Sequence, residues 1–168
     1  WVLIGTQTAS ADASLTQTGL SATYKMYAVV ATDLVPSTDG SYASLRVGDS
    51  SGVDSGSSDY RYHNHLRSAN AAGYQANTST GDDVSRFSGN VGNATGEGFS
   101  AVIYVANTTT QRIGFSGTGN GTNAAASDQA TSIGGERKAV ITMDRIQILF
   151  DAGNITSGIF SVYGLANS

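Results

Sequence analysis

The chain has no cysteine, one proline and, among 168 residues, only two lysines, Lys25 and Lys138. Without cysteine there is no disulfide, no thiolate metal ligand and no thiol nucleophile. Charged residues are also scarce, at 13%, and the net charge is −4 with a pI near 4.8. Phosphate-backbone binding needs clustered Lys and Arg, so nucleic acid is not an expected partner. No apolar run approaches the ~18 residues of a membrane span, and residues 1–6 read as a strand rather than a signal peptide, so no membrane insertion is expected. The chain starts on Trp1 without Met, as a fragment or a processed product would. Nowhere do apolar residues recur at i, i+3, i+4, i+7 over three turns, which removes the helix. No repeat at periods of 20 to 50 residues supports a propeller or solenoid.

What remains is rich in Gly, Ala, Ser, Thr and Asn, with 21 Gly, yet it keeps eight Tyr and five Phe. Disordered chains carry high charge and few aromatics; this one is expected to fold as a single domain over residues 1–168. Ten strands are expected, at 2–8, 13–18, 24–33, 42–47, 59–66, 84–88, 98–106, 112–116, 139–151 and 158–165. Short strands bounded by Gly, Ser, Asn and Asp clusters indicate an all-β, antiparallel β-sandwich. Three stretches, 48–58, 67–83 and 117–135, are too polar and small in side chain for a core and read as long surface loops, the third with one short helical turn at Ala124–Ala126. Loops of that length are usually functional.

The last two strands, joined through Gly153-Asn154, read as a terminal hairpin. Within the first of them Ile141 and Met143 share one parity while Ile146, Ile148 and Phe150 share the other. A switch across Asp144-Arg145 requires a bulge or a strand leaving one sheet for another, as in sandwiches and jelly rolls.

On Asp59-Tyr60-Arg61-Tyr62-His63-Asn64-His65-Leu66 the side chains of Arg61, His63 and His65 share one face, with Tyr60, Tyr62 and Leu66 on the other. These three are the candidate binding residues. Two His at i, i+2 fall short of the three or four ligands of a metal site, although a threefold oligomer would bring six such nitrogens around an axis; a solvated or intersubunit polar face is the expected role, and no metal or cofactor is assigned. Asp49, Asp54 and Asp59 recur every five residues through a Gly-Ser segment but lack the ligand pattern and closing Glu of a calcium loop; turn formation is their expected role. No Ser nucleophile elbow and no triad company for the His pair is present. Only Glu97 and Glu136 stand beside eleven Asp for a two-carboxylate glycosidase site. No catalytic residue is named, and an enzyme is not expected. Five Asn-x-Ser/Thr sequons, at Asn77, Asn93, Asn107, Asn120 and Asn154, follow from composition. Trp1 is expected in a core or an interface.

In their order along the chain, the segments Trp1-Val2-Leu3-Ile4-Gly5-Thr6, Thr23-Tyr24-Lys25-Met26-Tyr27, Asp33-Leu34-Val35-Pro36-Ser37-Thr38-Asp39-Gly40, Leu45-Arg46-Val47-Gly48, Ser58-Asp59-Tyr60, Ile146 to Phe150, Gly153-Asn154-Ile155-Thr156-Ser157-Gly158 and Val162-Tyr163-Gly164-Leu165 resemble a family of small virion proteins of marine and environmental tailed phages. The resemblance covers nearly the whole chain. It implies a β-sandwich of jelly-roll type on the external surface of a phage particle, commonly oligomeric, with no catalytic motif to carry over. On it rests the expected function: a fibre or appendage tip in host attachment, a trimer in contact with other virion proteins and with a bacterial surface glycan. Two alternatives stay open, a capsid decoration protein and a soluble carbohydrate-binding module.

Overall fold

In the computed structural model, which describes residues 1–70 and 73–165, thirteen strands form two antiparallel sheets. They are β1 (Val2–Thr8), β2 (Leu15–Thr18), β3 (Met26–Pro36), β4 (Ser41–Asp49), β5 (Gly52–Val53), β6 (Tyr60–Ser68), β7 (Gln75–Asp82), β8 (Ser85–Val91), β9 (Gly98–Ala106), β10 (Gly114–Thr122), β11 (Asp128–Arg137), β12 (Arg145–Phe150) and β13 (Ile155–Leu165). The larger sheet runs β1-β13-β3-β9-β10-β11-β6-β7; the smaller runs β2-β12-β4-β5, with β8 also paired to β4. Strands alternate between the sheets from β1 to β4, whereas β9, β10 and β11 follow one another as a meander in the larger sheet.

The expected all-β antiparallel sandwich forms, for the reason its parity suggests. Tyr27, Val29, Phe99, Ile103, Phe160 and Val162 line the inner face of the larger sheet, and Leu45, Val47, Phe87, Ile146, Ile148 and Phe150 that of the smaller, all within one buried cluster. Burying such a side chain contributes roughly 1.5–3 kcal/mol each.

The expected terminal hairpin does not form. β12 lies between β2 and β4, β13 between β1 and β3, and the turn through Gly153 carries the chain across the core from one sheet to the other. The apolar sets of the two strands therefore face each other through the core instead of lying side by side. The parity switch has a matching cause: residues 139–144 are not strand, and β12 begins at Arg145. There Asp144 donates its N–H to the Gly48 carbonyl and accepts from the Leu20 N–H.

The three expected loops are corrected too. Residues 48–58 contain the short β5, which pairs back on β4. Residues 67–83 contain β7, an edge strand, and residues 117–135 contain the second half of β10 and most of β11. The Ala124–Ala126 segment is a tight turn and not helix: Ala126 N–H donates to the Asn123 carbonyl, while the Asn123 Oδ1 accepts from the Ala125 and Ser127 amides.

Candidate functional site

The outer face of the larger sheet is the one broad surface on which the registers gather unusual side chains. Directly paired residues share a face, so the pairings alone assign which residues look outward. Near the β1 edge these are Leu3, Met26, Val30, Tyr104, Ile159 and Tyr163. Trp1 is 62% exposed and is not in the core; its ring stands 5.7 Å from that of Tyr163 and 6.1 Å, edge-on, from that of Tyr104. Ala28, in register with both tyrosines, is fully buried although it points away from the core. Leu3 (54% exposed), Met26 and Ile159 complete an apolar, aromatic half of the face that no part of this chain covers among the described residues.

Beyond β9 the character changes. β10 and β11 turn Ser116, Thr118, Asn120, Ala130, Ser132 and Gly134 outward, and an open depression of about 440 Å³ lies where Val30 and Val102 meet Thr118. Then comes β6, on which Arg61, His63, His65 and Arg67 are all exposed while Tyr60, Tyr62, Asn64 and Leu66 are buried. The expected alternation of this strand is borne out residue by residue.

Arg61 and His63 line a second open trough of about 440 Å³ together with Thr78, Thr80 and Glu136. Register places Glu136 opposite Arg61. Its Oε1 accepts from Arg61 Nε at 2.9 Å and from Arg112 Nη1 at 2.8 Å. Burial opposes ionisation of Glu136, but the two guanidinium hydrogen bonds and charges outweigh it and hold the carboxyl below its ordinary range. Lys138 extends the cluster: its Nζ donates to Ser58 Oγ at 3.0 Å and to the Thr80 carbonyl at 3.1 Å. At the other end of β6, the Arg67 guanidinium lies 5.6 Å from the centre of the exposed Tyr74 ring. His63 leans across Gly134, where a Cβ would come within 2.6 Å of its Nε2.

Sequence reasoning named Arg61, His63 and His65 and missed Glu136, Arg112, Lys138 and Tyr74. Glu136 arrives from the neighbouring β11, and Arg112, Lys138 and Tyr74 from the connections next to β10, β11 and β7, through a sheet order that no local pattern encodes.

Most of the other carboxylates are engaged elsewhere. Asp54 and Asp59 both bind Arg137, at 2.8 Å to Nε and 3.3 Å to Nη2, and Asp59 also accepts from the Gly56 N–H. Only Asp49 of that series acts purely as a turn former, accepting from the Ser51 hydroxyl and N–H, which lower its pKa. Asp83 binds Arg46, Asp144 binds Arg145 and Asp151 binds Arg86. The two glutamates sit at opposite ends of β10, whose nine residues make eight steps of roughly 26 Å in all; Glu97 accepts from the Ala94 N–H in a turn. That separation is far beyond the ~5–9.5 Å of a glycosidase pair. Among the described residues, no three His, Cys, Asp or Glu side chains come together to hold a metal ion, and no helix is long and apolar enough to cross a membrane.

No family model matches the chain, and no curated protein matches it either.

Proposed function

We propose that this chain is a structural domain of a bacteriophage particle: a jelly-roll-type fibre or appendage tip on the virion surface that assembles as a trimer and contacts the host. The observation that carries the reading is the division of one exposed sheet face into an apolar, aromatic half around Trp1, Leu3, Tyr104 and Tyr163 and a cationic, hydroxyl-rich half along β6. Contiguous exposed apolar surface rimmed by polar residues marks an interaction site, and Trp, Tyr and Met are the residues enriched in such contacts. A second copy of the chain is the occupant proposed for the apolar half, which leaves the β6 half facing outward. Open troughs and paired carboxylates suit a domain that works by surface contact rather than by turnover.

A soluble carbohydrate-binding module is the second reading, favoured by the exposed Tyr74 ring beside Arg67. The test is adsorption of the fluorescently labelled chain to bacterial cells and to emptied phage capsids. The proposal expects binding to susceptible cells. Binding to shells with none to cells overturns the tip assignment in favour of capsid decoration, and a monomer that binds only free sugar overturns the virion reading.

A further inference from the structure

Little opposes the charge along β6. Of the nine Lys and Arg in the chain, Arg46, Arg86, Arg137 and Arg145 are each bonded to an aspartate. Four others, Arg61, Arg67, Arg112 and Lys138, gather at the β6 end of the outer face. Glu136 is the one carboxylate bonded to any of them among the described residues, and two arginines share it. Lys138 rests on neutral oxygens and Arg67 on an aromatic ring. Asp128 stands on the same side at the start of β11, two residues from Ala130, the partner of Arg67. Cations held by shared or neutral partners keep most of their field for a ligand.

The geometry suits a chain rather than a single ion. Same-face residues of a strand recur every ~6.7 Å, so Arg61, His63, His65 and Arg67 form a line of roughly 20 Å. Beside His63 and His65 the neighbouring strands present only small side chains, Ser132 and Gly134 from β11 and Ala76 and Thr78 from β7, while Glu136 of β11 stands beside Arg61. The result is an open strip on which Arg61, His63, His65 and Arg67 stand above smaller neighbours, with the trough of Thr78, Thr80 and Glu136 beside its Arg61–His63 half and Tyr74 at the Arg67 end as a flat apolar platform.

We infer that this strip binds an unbranched anionic polysaccharide, with carboxylate or sulfate groups on Arg61 and Arg67, hydroxyls on His63, His65 and Thr78, and one sugar ring against Tyr74. The inference rests on reading the domain as one that acts by surface contact, and it names the ligand class. Guanidinium is the side chain matched to planar carboxylate. A nucleic acid is disfavoured, because a few cations on a chain of net charge −4 fall short of the basic field that phosphate backbones require.

The test is electrophoresis and calorimetry of the full chain with polygalacturonate, neutral dextran and mixed-sequence single-stranded DNA. Polygalacturonate is expected to bind and dextran to have no effect. Arg61→Gln and Arg67→Gln should each weaken binding about tenfold, the value of one charge-assisted hydrogen bond. Lys25→Gln, the same charge change at an exposed site off the strip, should leave it unaltered, and unchanged thermal transitions show that the variants are folded. Gly134→Ala should weaken binding by displacing His63. Equal binding to dextran, an equal loss in Lys25→Gln, or tighter binding to DNA overturns the inference. A trimer that ignores polygalacturonate overturns the ligand class alone; a monomer that binds it overturns the assembly reading alone.

Discussion

Replacing Arg137 by methionine keeps most of the aliphatic stem over the Tyr60 ring, 5.8 Å from the guanidinium carbon, and removes the counter-ion shared by Asp54 and Asp59. Arg137 is 11% exposed; the two carboxylates are 19% and 26% exposed. Breaking a fully buried pair from one side costs ~3–5 kcal/mol because the remaining charge is left unpaired. Partial exposure lets water recover some of that here, and the Arg137 bond to the Asp59 carbonyl is lost as well, so the expected cost is about 2–3 kcal/mol. For a chain of this length that corresponds to a fall in Tm of about 5–10 °C. Urea and thermal unfolding of Arg137→Met, the double variant Asp54→Asn/Asp59→Asn, and the triple variant form a cycle. In the double-variant background the same Arg137 substitution should cost less than about 1 kcal/mol, since no carboxylate is then stranded. A wild-type-background loss under about 1 kcal/mol, or equal losses in both backgrounds, would refute the claim that this ion cluster holds the 48–59 segment against the sheet.

The buried tyrosines give an alkaline prediction. Desolvation is the largest cause raising the pKa of Tyr27, Tyr60 and Tyr62, pushing Tyr62 up to about 12. A folded-state pKa above the unfolded ~10 means stability that is full below pH ~10 and is lost as pH rises through the folded value. Phenolate absorbance of the native chain should therefore lag that of the denatured chain above pH ~10, with the missing fraction appearing as the sandwich unfolds; superimposable titrations would contradict it. Glu136 works in the opposite sense, because its folded pKa is depressed. Its contribution is present above the unfolded ~4.3 and lost as pH falls, so Glu136→Gln should be less stable than the parent at neutral pH, by at most about 1 kcal/mol for an exposed pair. That gap should close in acid; a gap that widens below pH ~4 would reverse the assignment.

Much of the fold was legible where the core repeats at period two. β1 and β9 fall at the expected bounds and β6 alternates as read: Phe99, Ile103 and Val105 mark the inward face of β9 and Tyr60, Tyr62 and Leu66 that of β6, whereas β1 has no buried residue and is marked by its apolar start, Val2-Leu3-Ile4. β7 and β11 were not legible. β7, on the sheet edge, carries no large apolar side chain, and the buried positions of β11 include Gln129, Thr131 and Arg137. The second half of β10 looked like a loop for a different reason. A Cβ at Gly119 would fall 2.4 Å from the Phe99 ring, so the glycine there makes room for a neighbour's aromatic side chain and does not signal a turn. The candidate site was half legible for the same reason: alternation showed that Arg61, His63 and His65 share a face, but only the sheet order could bring Glu136 opposite Arg61. The hairpin expectation failed because apolar parity is the same for two strands that pair and for two that oppose each other across a core.

The central claim is that the apolar half of the outer sheet face is covered by further copies of the chain, and the solution mass by light scattering tests it most directly. The account predicts a stable trimer, three times 17.2 kDa, that dissociates when Leu3 and Tyr163 are both replaced by aspartate while the thermal transition of the fold remains. A wild-type chain that stays at 17.2 kDa at high concentration would contradict it.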